Sequence, residues 1–171
     1  YMPWGVMPST QGNPNLLNDR KMLIGLSGSM NVESENESTN DARMGLEFAL
    51  LYNRWYFAGE AYWMNVGFTK RQKINEHYNY LGGYVQGGYF VAPRLQVAAR
   101  YDFMNRNSTG KDGFLNMPAV GLNYFFKGCN LKLQAMYQYT GRKGHDTQLD
   151  RDNDNLGLDT HSATVQLQYY F

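Results

Sequence analysis

Thr160-His-Ser-Ala-Thr-Val-Gln-Leu-Gln-Tyr-Tyr-Phe171 repeats with a period of two. Ala163, Val165, Leu167, Tyr169 and Phe171 fall on one face, while Ser162, Thr164, Gln166, Gln168 and Tyr170 fall on the other. A helix groups positions three and four apart, which here would mix the two sets, so the segment is a strand with one apolar and one polar side.

The same pattern recurs upstream. Leu131, Leu133, Ala135, Tyr137 and Tyr139 alternate with Lys132, Gln134, Met136, Gln138 and Thr140. Val120, Leu122, Tyr124 and Phe126 alternate with Ala119, Gly121, Asn123 and Phe125, and Leu95, Val97, Ala99, Tyr101 and Phe103 with Gln96, Ala98, Arg100 and Asp102. Val85 to Val91 sets Tyr89 against Gln86 and Phe90, and Trp55 to Trp63 sets Phe57 against Tyr56, Glu60 and Tyr62. Met44 to Tyr52 opposes Arg43, Glu47 and Leu51, and Met22 to Met30 opposes Gly25, Ser27 and Ser29. This makes about eight strands of roughly the 9–11 residues that a tilted strand needs to cross a bilayer.

The connections alternate in length. Asn53-Arg54, Pro93-Arg94 and Lys127 to Asn130 are tight turns, whereas 31–41, 67–77, 105–113 and 141–159 are long and polar. On an antiparallel pattern this collects the short turns at one end and the long loops at the other, as in outer-membrane barrels with short periplasmic turns and longer outside loops. Many aromatics of the apolar face lie near strand ends, where amphipathic rings settle at headgroup depth. A soluble sandwich would also alternate, but its inner face has no reason to carry aromatics at both levels. The fold expected is therefore all-β, an antiparallel transmembrane β-barrel, with an irregular segment over 1–19 and barrel strands over 20–171.

Composition agrees. Of the 171 residues 15% are aromatic, and 16 basic against 15 acidic residues leave a formal charge of +1. That balance argues against a basic nucleic-acid-binding face. A mean hydropathy of −0.57, with no apolar run near ~20 residues, excludes a transmembrane helix but not a barrel, whose alternation averages to a soluble-looking value. Cys129 is the single cysteine, so neither a disulfide framework nor a thiolate metal cluster is expected.

Leu81-Gly-Gly-Tyr-Val-Gln-Gly-Gly-Tyr-Phe90, Leu95-Gln-Val-Ala-Ala-Arg-Tyr-Asp102, Val120-Gly-Leu-Asn-Tyr-Phe-Phe126 and Leu131-Lys-Leu-Gln-Ala-Met-Tyr-Gln-Tyr139, in that order, resemble the C-terminal half of phosphate-selective porins of the O and P type. The terminal Gln168-Tyr-Tyr-Phe171 is similar to the aromatic C-terminus by which such barrels are recognised for insertion. The resemblance implies a passive channel for small hydrophilic solutes or ions in the outer membrane of a Gram-negative cell, and a homotrimer. It also implies roughly sixteen strands in all, this chain being the C-terminal part.

Parity places Arg43, Glu47, Glu60, Arg100, Asp102 and Lys132 on the lumen side, the candidate pore-lining residues. Three cations against three carboxylates are not the basic ladder of an anion-selective pore, so a general small-solute pore with at most an anion bias is expected. In a narrow closed barrel the same charges would form a static salt-bridged network. A complete eight-stranded barrel with a structural or adhesive role is the alternative to the porin.

The remaining candidates are weaker. Asp150, Asp152 and Asp154 space carboxylates as calcium loops do, but no closing bidentate ligand follows. His77, His145 and His161 are the neutral-pH bases, and only His145 beside Asp146 hints at a catalytic pair. No enzyme activity and no cofactor are expected. Glu33, Glu35, Glu37 and Asp41 make one long loop acidic, and Lys70, Arg71 and Lys73 make the next basic; either would meet lipopolysaccharide or simply water.

Overall fold

The computed structural model describes residues 1–4, 7, 18–31, 40–67, 77–105, 114–127, 130–143 and 159–169. They form eight strands: β1 (Arg20–Asn31), β2 (Asn40–Tyr52), β3 (Trp55–Gly67), β4 (His77–Ala92), β5 (Leu95–Asn105), β6 (Phe114–Lys127), β7 (Leu131–Lys143) and β8 (Thr160–Tyr169). Every strand pairs antiparallel with the one that follows it, in one sheet ordered β1 to β8. Strands of 10 to 16 residues are long enough to cross a bilayer. No helix among the described residues is long and apolar enough to do so.

Register keeps the two faces separate across the whole sheet. Ile24 stands opposite Phe48, Phe48 opposite Gly59, Gly59 opposite Val85 and Val85 opposite Tyr101. Farther on, Val120 stands opposite Tyr137, and Tyr137 opposite Ala163. The apolar face is open: Leu26 is 76%, Val165 73% and Leu167 65% exposed. Water-soluble surfaces rarely expose contiguous apolar patches beyond a few hundred Å², so a sheet-wide apolar face belongs against lipid. Aromatics rim it at the short-turn end, where Trp55 stacks on Phe57 at 5.5 Å and meets Tyr89 at 4.5 Å. Nearby, Tyr124 meets Phe126 edge-on at 4.9 Å. Toward the opposite end of the strands, His161 lies between Tyr137 and Tyr139, with ring centroids at 6.0 and 5.2 Å.

The other face is concave and holds the core. Leu51, Tyr56, Ala58, Phe90, Gln96, Ala119 and Phe125 are all buried on it. Phe90 on β4 and Phe125 on β6 bring their ring centroids to 5.5 Å although β5 runs between them. Strands two apart in a flat sheet are about 10 Å from one another, so this contact closes over Gln96 of the intervening strand. Met7, from the segment before β1, packs against the Leu51–Tyr56–Ala58 cluster.

Two expectations change. Phe90 and Phe125, assigned by parity to a wet polar face, form its dry end beside the short turns, because curvature lets rings from alternate strands meet there. The strands also outrun the apolar alternation: Asn31, Asp41, Gly67, Asn105 and Gly141 to Lys143 are paired, and His77 opens β4 instead of lying in a loop. Polar strand ends satisfy one another across the ladder, as where Asn65 Nδ2 donates to Asn79 Oδ1 at 2.6 Å, so pairing continues where hydrophobic patterning stops. β1 and β8, the two edge strands of the sheet, do not pair with each other among the described residues. The outer edge of β1 instead exchanges backbone hydrogen bonds with Tyr1: Tyr1 N donates to Ile24 O at 2.7 Å and Ile24 N–H to Tyr1 O at 3.0 Å.

Candidate pore wall

The six charged residues singled out by parity all stand on the concave face, at different levels. Gly25, Glu47, Glu60, Tyr84 and Asp102 form one continuous cross-strand row over β1 to β5. All three carboxylates of the set lie on it. The cations are dispersed: Arg43 faces Ser29 and Met64, Arg100 faces Gln86 and Ala119, and Lys132 faces Phe125 and Gln168.

Local geometry explains how this row is held. Glu47 lies over Gly25, where a Cβ would collide with its carboxyl group, so the glycine opposite makes room for the side chain. Glu60 accepts hydrogen bonds from the hydroxyls of Tyr62 and of Tyr84, the latter at 2.7 Å. Phenol donors to a carboxylate make charge-assisted hydrogen bonds, stronger than those between neutral groups. Arg100 sits 3.9 Å over the Tyr84 ring, donates to both oxygens of Asp102 at 2.6 to 3.0 Å and to Gln86 Oε1 at 3.3 Å. Arg43 pairs in the same forked manner with Asp41, at 2.9 and 3.2 Å. Lys132 is half-buried near the short-turn end.

Between the level of Arg100 and that of Lys132 runs a neutral belt. Gln134 Nε2 donates to Asn123 Oδ1 at 2.8 Å, and Asn123 Nδ2 to Gln96 Oε1 at 2.9 Å. A cavity of ≈ 160 Å³ is lined there by Tyr56, Gln86, Gln96, Arg100 and Asn123 among others. Amides and hydroxyls on a concave wall, backed by a lipid-facing exterior, suit hydrated solutes. Among the described residues they bring together no nucleophile, base and orienting group.

The family model for phosphate-selective porin O and P matches residues 1–171, the whole chain. The chain belongs to the phosphate-selective porin O and P family. As such it is an outer-membrane porin, a β-barrel channel protein. No match was found among curated proteins or among solved structures.

Within this porin the calcium candidates Asp150, Asp152 and Asp154, the histidine His145, the lone Cys129 and the terminal Phe171 all lie outside the described residues. No cluster of potential metal ligands occurs among the described residues. Sequence parity found the face of each charged side chain but missed the row. One part of it was within reach: a two-residue turn pairing Tyr52 with Trp55 places Glu47 opposite Glu60 by counting outward. The amide belt carried no such signal, because β5, β6 and β7 meet through a long connection and an irregular turn.

Proposed function

We propose that this porin is a passive diffusion channel for small hydrophilic solutes, with the concave face as part of its lumen wall. The observation that carries this reading is the separation of faces across all eight strands, charged and amide groups on the concave side and aliphatic and aromatic groups on the exposed side. Side chains facing lipid and lumen alternate in barrels that conduct, and wall charges act on passing ions. The long connections are assigned to the outside of a Gram-negative cell, near lipopolysaccharide, the short turns to the periplasm, and the assembly to a homotrimer, as the family resemblance implies.

An anion bias has little support. Arg43 and Arg100, two of the three cations expected to produce it, are already paired with Asp41 and Asp102. The alternative of a complete eight-stranded barrel without an open lumen needs β8 to close on β1, and that pairing does not occur among the described residues. Reconstituting the purified full-length protein in planar bilayers tests the proposal. Stepwise conductance is expected; its absence in protein that is demonstrably folded overturns the channel reading.

A further inference from the structure

We propose that the concave wall carries a docking site for uncharged solutes that join an aromatic ring to a hydroxylated part, an inference that rests on the channel reading above. Much of the concave face is charged, amide or glycine, yet toward the long connections it turns apolar. On that side of the charged row, Tyr62 faces Gly82 and Gly82 faces Met104, while Met64 faces Tyr80. Asp102, at the end of the row, faces Met117. Tyr62 and Met104 are exposed, and Met64, Tyr80 and Met117 are half-buried. Together with Tyr84 these side chains line a cavity of ≈ 590 Å³. Small-molecule sites commonly measure about 300–1,000 Å³ and are mostly apolar, with a few polar groups that fix orientation. Thioethers and phenol rings on a wall that faces water leave apolar surface uncovered, and a hydrated ion does nothing to cover it.

The lining selects the occupant. Gly82, between Tyr62 and Met104, forms the floor, and an added Cβ there would meet only ordinary contacts, so the position has room for more than hydrogen. The Tyr62 and Tyr84 rings are fixed by their hydroxyls, which both donate to Glu60. Walls held in place before binding lose little freedom when a ligand arrives. One face of Tyr84 already carries the Arg100 guanidinium, which leaves Tyr62 as the open ring. Methionine is flexible and polarisable, adapts to the outline of a ring and makes favourable sulfur–aromatic contacts. A flat aromatic group therefore fits between Tyr62 and the thioethers. Charge points to an uncharged one: Arg43 and Asp102, the two ionic groups in the lining, are already paired with Asp41 and Arg100. Toward β1 the lining ends in the exposed Ser27 and Ser29, whose hydroxyls suit a sugar-like remainder. Retention of such a solute on one part of the wall is separate from the charge preference of the pore.

Phenyl β-D-glucoside and glucose, each added to the full-length protein in planar bilayers, test this. The wild type is expected to show current interruptions with phenyl β-D-glucoside at about ten-fold lower concentration than with glucose, the ratio that covering part of one ring supports. Met64→Gln with Met104→Gln keeps side-chain length but removes the apolar lining, and is expected to abolish the difference. Gly82→Leu fills the floor and is expected to do the same, which keeps the test decisive if the double variant folds poorly. In detergent micelles, the methyl NMR signals of Met64, Met104 and Met117 are expected to shift with phenyl β-D-glucoside and not with glucose. Equal interruption by the two solutes, or a difference unchanged in both variants, overturns the site while leaving the channel intact. Absence of conductance in the folded wild type overturns the channel reading; the methyl signals then decide separately whether the cavity binds the ring.

Discussion

At the scale of single residues, glycines decide how closely strands and side chains approach. Gly59 lies beneath the Phe48 ring and Gly87 beneath Phe57, each directly across the ladder from its aromatic partner. An aromatic ring folded over a strand glycine covers backbone that would otherwise be bare. Gly83 is different: an added Cβ would collide with the Glu60 carbonyl, and Ala61 Cα would stand 3.1 Å away. Backbone cannot retreat as a side chain can. Gly83→Ala is therefore expected to destabilise the folded barrel by about 1–3 kcal/mol, the usual range for overpacking. At the adjacent Gly82 the nearest atom would be Phe103 O at 3.5 Å, an ordinary contact. Urea unfolding in detergent micelles should separate the two alanine variants, and equal midpoints would contradict the close approach at Gly83.

At the scale of elements, two bulges reconcile turn length with the sidedness of the sheet. Pairing is shifted between Phe90 and Ala92 and again between Phe125 and Lys127, leaving Val91 and Phe126 as the extra residues. Extending the Ala92–Leu95 pairing up β4 without a bulge would set Tyr84 against Phe103, mixing polar and apolar faces; the bulge sets Tyr84 against Asp102. A one-residue slip sends every following side chain to the other face. Deleting Val91 is expected to be tolerated, because Phe90–Gln96 and Ala92–Leu95 can then join as a regular hairpin. Deleting Val97, inside β5, displaces the rest of that strand and should abolish most of the folded form. Heat-modifiable mobility on gels reads both outcomes, and the reverse ranking would refute the assigned register.

At the scale of the whole molecule, the alternation of short and long connections predicts an orientation. With the turns at 53–54, 93–94 and 128–130 in the periplasm, Cys129 should resist an impermeant thiol reagent applied to intact cells. Ser108→Cys, in a long connection, should react. Strong surface labelling of Cys129 would invert the orientation. The concave core at the short-turn end, with Phe90 and Phe125 over Gln96, makes that end the drier one, and the charged row lies farther from it.

Much of this architecture follows from the sequence alone. A side-chain period of two needs no long-range information, so residues 160–171 already reveal strand, face and lipid side, and the same holds upstream. The turn after Tyr52 extends this to one register, Glu47 against Glu60. What only the tertiary structure decided is the level of each side chain across long connections, since a loop of many residues does not fix which rungs meet. For that reason Asp102 joins the row of Glu47 and Glu60 only once β3, β4 and β5 are aligned, whereas its pairing with Arg100, two residues away on the same face of β5, is local. Curvature is likewise invisible to parity: it turned Phe90 and Phe125 from expected lumen residues into core, because rings on alternate strands touch only when the sheet bends toward them.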